Sequence, residues 1–286
     1  MIVDVLPATN KELRQAIYSG NIFRLPASQN SLSLVERVLE LIDQQLGKSY
    51  HQVHLRMPNE AFFKELSLLR QNLAKDETLS RLLAEIVSEA GFDRANTSFD
   101  ALRLRAVVPF DYESPNAVKA YSLHRDTWFG NSQSQINWWL PLQDIDHNNS
   151  FAFYPDYFSK AVVNDSHLFD YDLWSKKVGF GNSMAKVEDL YPTAQEKLDL
   201  DCASKFNCRA GDVVLFSAAH LHQTCPNLSN LVRYSLDFRT VDLDDHEKGL
   251  GAMNADNKSK GSSLVDYKNP AELRNLSFLK AFPGAV

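Results

Sequence analysis

Apolar residues in the first hundred positions recur at intervals of three and four, the spacing that lines one face of a helix. Leu34, Val35, Val38, Leu39, Ile42 and Leu46 form one such stripe, with Ser31 or Ser33 placed to cap its start and Gly47 to stop it. A second helix is expected after Pro58, with Asn59 as its N-cap and Phe62, Phe63, Leu66, Leu69 and Leu73 along it. A third carries Leu79, Leu82, Leu83, Ile86, Val87 and Ala90 and ends at Gly91. All three stripes read as core-facing.

From about residue 99 the pattern shortens to period two. Leu102 to Val107 alternates, Gln135 to Leu140 is rich in aromatic residues and stops at Pro141, Asp212 to Phe216 follows the turn residue Gly211, and Arg233 to Phe238 alternates again. Short strands after a helical segment predict an α+β protein: a β-sandwich or jelly roll braced by N-terminal helices. The stretch 155–200, with Tyr157, Phe158, Phe169, Tyr171 and Trp174, is an insertion that either walls a pocket or packs against the sheet. Beyond Val241 the chain turns polar, which suits a mobile loop or lid. The expected layout is one domain over 1–286, with a helical region at 1–98, a jelly-roll core at 99–243 and a C-terminal lid or tail at 244–286.

Composition narrows the function classes. The 286 residues are 44% hydrophobic and 23% charged, an ordinary globular balance. The net charge is −6 and basic residues are scattered apart from Lys258 and Lys260, so no nucleic-acid footprint is legible and a small or zwitterionic substrate fits better. Cys202, Cys208 and Cys225 are odd in number and form no CxxC pair, which points to a reducing compartment. The first residues lack the pattern of a signal peptide, and no apolar run reaches the length of a membrane span. The expectation is a cytoplasmic protein with a small-molecule substrate and neither nucleic-acid nor membrane partners. Its oligomeric state is not legible.

The candidate chemistry begins at His124-Arg125-Asp126. Residues two apart on an extended segment point the same way, so this tripeptide offers two metal ligands on one side. A third ligand from a distant strand would complete a facial set of two histidines and a carboxylate. Such a set leaves three adjacent coordination positions open, which suits non-haem Fe(II) taking a chelating 2-oxoacid and dioxygen. Alone, the tripeptide carries little information.

Downstream, Gly211-Asp212-Val213-Val214-Leu215-Phe216 is followed by His222-Gln223-Thr224-Cys225-Pro226-Asn227 and then by Arg233. Together with His124-x-Asp126 upstream, this order resembles the phytanoyl-CoA dioxygenase-like family over roughly 99–243. The resemblance implies a double-stranded β-helix (a cupin-like jelly roll), iron ligated by His124, Asp126 and His222, and 2-oxoglutarate as cosubstrate. It further implies that Arg233 holds the distal carboxylate of 2-oxoglutarate, with Thr224 in support, since a planar guanidinium fork matches a carboxylate. Asn137 or Gln135 could bind the cosubstrate's other carboxylate oxygen. The spacing to Pro226-Asn227 and Arg233 selects His222 over His220, which is left as a supporting or structural residue.

Several further positions border this frame. Arg239 lies on the Arg233 side of its strand and is either a substrate contact or an ion-pairing residue. Arg103 and Arg105 share a face that points either to an anionic substrate or to solvent. Trp128 is a pocket candidate. Trp138 and Trp139 divide between two faces, so one belongs to the core and Trp139 is the pocket candidate of the two. His51, His54, His147, His167 and His246 have no motif partners and read as surface residues.

The resemblance implies an oxidoreductase that consumes dioxygen, converts 2-oxoglutarate to succinate and carbon dioxide, and oxidises an unactivated C–H of a small metabolite in specialised biosynthesis. Halogenating relatives replace the acidic ligand by a small residue, so the retained Asp126 favours hydroxylation, with demethylation, desaturation and ring chemistry open. Two rival classes remain: a zinc hydrolase or isomerase on a similar barrel, which would give Arg233 and Thr224 no joint purpose, and a non-catalytic small-molecule-binding barrel.

Overall fold

Helix boundaries follow from local capping chemistry. The computed structural model describes residues 2–113, 121–177 and 191–269. After β1 (Ile2–Val3) comes α1 (Asn10–Tyr18), whose Thr9 cap and Glu12 satisfy each other's backbone N–H groups. β2 (Ile22–Leu25) leads to α2 (Gln29–Leu46). This helix starts earlier than the apolar stripe indicates: Ser28 is the cap, and Ser31 is its reciprocal partner three residues on. Gly47 ends it at φ 80°. α3 (Asn59–Leu73) has Pro58 at the cap position, and Asn59 is the first helical residue. The side chain of Asn59 donates instead to Asp111. α4 (Glu77–Glu89) is capped by Asp76, which accepts from the N–H groups of Thr78 and Leu79.

The strands follow as β3 (Thr97–Phe99), β4 (Arg103–Val107), β5 (Gln135–Pro141) and β6 (Phe151–Phe153). After α5 (Tyr171–Lys177) come β7 (Val213–Ser217), β8 (His222–Thr224), β9 (Arg233–Asp242) and the short α6 (Leu243–Glu247). A seven-stranded sheet runs β1-β2-β7-β5-β9-β3, with β4 also paired to β9. β6 and β8 form a second, antiparallel pair, extended by isolated bridges such as Phe153 to Ser204 and His124 to His222. The two sheets make a double-stranded β-helix braced by the N-terminal helices. The helical reading of the first hundred residues missed β1, β2 and β3, which are too short to show a period of their own.

Alternation on the strands separates two cores. Ile136, Trp138 and Leu140 of β5 and Tyr234, Leu236 and Phe238 of β9 face the helices, packing with Leu34, Val38, Leu66 and Leu83. The opposite face holds Trp139, Phe151, Phe153, Phe206, Val214 and Phe216 between the sheets. Burial contributes roughly 1.5–3 kcal/mol per large apolar side chain, an upper estimate.

The polar stretch after Val241, expected as a mobile loop or lid, is packed as far as Asn269. Asp256 is 9% exposed, and Gly251 approaches Gln133 so closely that a Cβ would lie 2.5 Å from its carbonyl carbon. Hydrogen bonds from Arg125, Trp128 and Gly130 tie part of this segment to the metal loop. Residues 270–286 of that expected lid, and 178–190 of the expected insertion, lie outside the described residues. The histidines also divide: His51 is half-buried against Tyr50 and Tyr234, and His246 meets Ser132 at 2.9 Å, so these two are packed.

Candidate metal centre

His124 and His222 are brought side by side by a pair of backbone hydrogen bonds, 3.1 and 3.0 Å, between the loop before β5 and the start of β8. Their rings lie 4.4 Å apart. In each, Nδ1 sits against the carbonyl two residues earlier, Ser122 at 2.9 Å and His220 at 3.0 Å. A carbonyl can only accept, so both Nδ1 atoms carry the proton and both Nε2 lone pairs are left for a cation.

Asp126 opens a short 3-10 turn (Asp126–Phe129) and turns Oδ1 toward those atoms, 3.4 Å from His124 Nε2 and 3.9 Å from His222 Nε2. One ligand atom from each of the three residues lies within 4.8 Å of the other two, a spacing one divalent ion can bridge. The outer oxygen, Oδ2, receives 2.8 Å from Asn137 Nδ2 and lies 3.5 Å from Arg239 Nε. The carboxylate is therefore held with one oxygen braced and one directed at the imidazoles.

Burial alone would raise the Asp126 pKa, but Arg239, His124 and His222 together hold it well below the usual carboxylate range. Burial, with His124 adding to it, pushes His222 down to about 4. At neutral pH the site therefore holds a carboxylate and a bare His222 imidazole, the protonation state that binds metal.

The brace extends outward. Asn137 Oδ1 accepts from Gln135 at 2.8 Å, and Gln135 Oε1 accepts from the Tyr267 hydroxyl at 2.8 Å. Arg239 meets Asp100, its backbone N–H donating at 2.8 Å and Nη1 at 3.4 Å, and Asp100 also takes Arg103. Asn137 and Gln135, expected on the cosubstrate, thus spend these amide contacts on Asp126 and on Tyr267. Arg239 is an ion-pairing residue of the site. Asp100 and Tyr267 were not foreseen: Asp100 lies 139 positions from Arg239, and no spacing rule links them.

Arg125, between the two candidate ligands, points the other way and is 1% exposed. It donates to Asp256 at 3.0 Å and to the carbonyls of Tyr157 and Lys160 at 2.6 and 2.8 Å. Trp128, expected in the pocket, is fully buried with its indole N–H on Asp256 at 2.7 Å. Asp256 thereby ties the metal loop to the C-terminal segment, so Trp128 is a structural anchor. Trp139 is also core, ringed by Phe151 and Phe206. Arg105 is half-exposed and pairs with Asp237 at 2.6 Å.

Arg233 is 3% exposed on the inner face of β9. Its Nη1 donates to the Asn149 carbonyl at 3.1 Å, its guanidinium lies 5.8 Å over Trp139, and its buried Nε has no partner. Among the described residues no carboxylate forms an ion pair with it. Burial pushes its pKa down to about 10, opposed by Tyr121 and Cys225. A buried, under-bonded guanidinium is costly unless an anion completes it. Thr224 lies two residues after His222 on β8, opposite Phe151. His220 is fully buried among Phe153, Phe158 and Phe216, and burial drives it down to about 3.

A double-stranded β-helix with two histidines and an aspartate converging on one point, and an inner-face arginine without an ion-pair partner among the described residues, has the features of an iron- and 2-oxoglutarate-dependent oxygenase. The model of the phytanoyl-CoA dioxygenase (PhyH) family matches residues 43–235, and the chain belongs to that family. No curated protein matches. Among solved structures, the apo form of the non-heme monooxygenase ThoJ is similar at a TM-score of 0.50 and 11% identity, over 80% of this chain and 76% of that one. EvdO2 from Micromonospora carbonacea var. aurantiaca, complexed with 2-oxoglutarate, aligns at 0.47 and 11% identity over 84% and 94% of the two chains. The 2-oxoglutarate-dependent carbocyclase SnoK from nogalamycin biosynthesis aligns at 0.39 and 14% identity over 82% and 85%. At these identities the likeness is one of fold. Among the described residues no helix is long and apolar enough to cross a membrane.

Proposed function

We propose that the chain is an Fe(II)- and 2-oxoglutarate-dependent dioxygenase that hydroxylates an unactivated C–H of a small metabolite in specialised biosynthesis. The convergence of His124 Nε2, His222 Nε2 and Asp126 Oδ1 is the observation that carries this reading. Two imidazoles and one carboxylate suit Fe(II), with one face left for a chelating 2-oxoacid and dioxygen. When bound, iron supplies the activation of dioxygen that couples conversion of 2-oxoglutarate to succinate and carbon dioxide with insertion of one oxygen atom into the substrate.

The protein's own part is to hold the reactants. Asn137 and Arg239 fix Asp126 through Oδ2, so the oxygen facing the metal is Oδ1. The Nε of Arg233, without a partner among the described residues, fits the distal carboxylate of 2-oxoglutarate. Thr224 supports that carboxylate by its place after His222. The retained Asp126 occupies the position that chloride would need, which favours hydroxylation over halogenation.

The test is succinate formation by purified, iron-loaded protein across a broad panel of small metabolites, paired with calorimetric titration of 2-oxoglutarate. Iron-dependent succinate release with a product heavier by one oxygen supports the reading. No 2-oxoglutarate binding together with no succinate rejects it, in favour of a different metal enzyme. Binding without oxygen consumption would mark a non-catalytic barrel.

A further inference from the structure

The inner faces of β4 and β9 carry a second guanidinium toward the candidate metal site. Arg105, registered opposite Ser235, grips Asp237 through Nε at 2.6 Å and Nη2 at 3.3 Å, and among the described residues Nη1 makes no hydrogen bond. Solvent reaches 51% of its side chain. Asp237 shares the inner face of β9 with Arg239, two residues on, whose Nε lies 3.5 Å from Asp126 Oδ2, so Arg105 stands on the metal side of the barrel.

Aromatic rings close the circuit. Phe129 stands edge-on to His124 at 5.6 Å, and Tyr191 lies 5.8 Å from Phe129. Burial raises the Tyr191 phenol, opposed by a hydrogen bond with Trp174 and by the charge of Arg105. One arc of the mouth therefore runs from His124 through Phe129 and Tyr191 and is aromatic. The other runs from Arg105 through Asp237 and Arg239 to Asp126 and is charged. An apolar surface beside a solvent-reached guanidinium edge selects for a molecule with both characters.

Building on the iron and 2-oxoglutarate reading, we propose that the substrate is a compact amphiphilic carboxylate. Its anionic group docks on the Nη1 edge of Arg105, and its planar or apolar body lies against Phe129 and Tyr191. This geometry presents a C–H of the body to the metal and leaves Arg233 to the cosubstrate. Guanidinium-to-carboxylate contacts are charge-assisted and directional, so an amide of the same shape binds more weakly.

The experiment uses full-length protein loaded with Ni(II) and 2-oxoglutarate, titrated calorimetrically with 3-phenylpropionate, 4-phenylbutyrate and their primary amides. At least one acid is expected to bind about 10-fold more tightly than its amide, the scale of one charge-assisted contact. Arg105→Gln should erase that preference while Ni(II) and 2-oxoglutarate affinities hold. Arg105→Gln combined with Asp237→Asn, which leaves no unpaired carboxylate, should behave the same. Tyr191→Ala should weaken acid and amide alike. Equal binding of acid and amide, or a preference that survives in both Arg105 variants, overturns the proposal. If Ni(II) and 2-oxoglutarate bind but no acid or amide does, the substrate inference fails alone. If Ni(II) and 2-oxoglutarate themselves do not bind, the functional reading fails and takes the inference with it.

Discussion

On β5, Ile136, Trp138 and Leu140 point to the helices while Gln135, Asn137 and Trp139 point into the barrel, and β9 repeats the division with Leu236 and Phe238 against Arg233, Asp237 and Arg239. The two faces share a backbone and every strand hydrogen bond, yet they are built on different rules. The outer face is mainly apolar volume, with Trp138 and Tyr234 each tied by one hydrogen bond, and its aliphatic positions tolerate well-packed substitutes. On the inner face each polar group depends on a named partner: Asn137 on Asp126, Gln135 on Asn137, Arg239 on Asp126 and Asp100. A buried polar group without its partner costs about 1–3 kcal/mol, so these positions come as a set. Among the described residues Arg233 Nε and Ser235 Oγ are exceptions, and a buried guanidinium short of a partner fits a bound anion.

That contrast can be broken by mutation. Asp126→Ala is expected to lower hydroxylation by more than about 1,000-fold, given that it removes a metal ligand and its braced carboxylate together. Product formation with the iron-loaded variant measures it, and undiminished turnover would remove Asp126 from the metal. On the other face, Trp138→Ala deletes a fully buried ring stacked on Phe238 at 5.2 Å and bonded to Thr240 at 2.8 Å. It should cost about 3–5 kcal/mol in denaturant unfolding, while the folded fraction keeps its metal affinity. A large change in metal affinity would show that the two faces are coupled.

Arg233→Met should raise the 2-oxoglutarate requirement about 100-fold, the scale of losing a charge-assisted pair. The same variant should leave the ligand-free protein equally or more stable, because it removes an uncompensated buried charge. A variant with an unchanged requirement would separate Arg233 from the cosubstrate.

Acidification sharpens the comparison further. Folded-state pKa values of about 4 for His222 and about 3 for His220 lie below the ordinary 6.5. The unfolded chain therefore takes up protons first as pH falls, and stability declines between about pH 6.5 and 4. From pH 7 to 5 each imidazole should cost the metal-free protein roughly 2 kcal/mol. Asp126, held below the carboxylate range, contributes stability that is lost only at lower pH. Denaturation midpoints followed across that range, with His220→Gln as control, give the measurement, and a flat profile would contradict the burial of these rings.

Much of this was legible in the chain because it depends on near neighbours. The stripes of α2, α3 and α4 and the alternation of β4, β5, β7 and β9 are local periodicities. His124, Asp126 and His222 were singled out by the resemblance of their motifs to a known family, and the folded chain brings them together. The strands β1, β3, β6 and β8, two or three residues each, carry too few positions for a period and exist only because a neighbour pairs with them. Trp128 looked like a pocket residue because it follows the metal loop, but Asp256, 128 positions away, decides its orientation.

By itself the sequence determined the class of fold, the identity of the candidate ligands and the presence of an inner arginine, since each rests on periodicity or on a motif of fixed spacing. Only tertiary structure decided which oxygen of Asp126 faces the imidazoles and that the polar tail is a brace. It alone set Tyr191 against Phe129 and Arg105 on Asp237. Those features are contacts between distant segments, and a contact exists only when packing has chosen which surfaces meet.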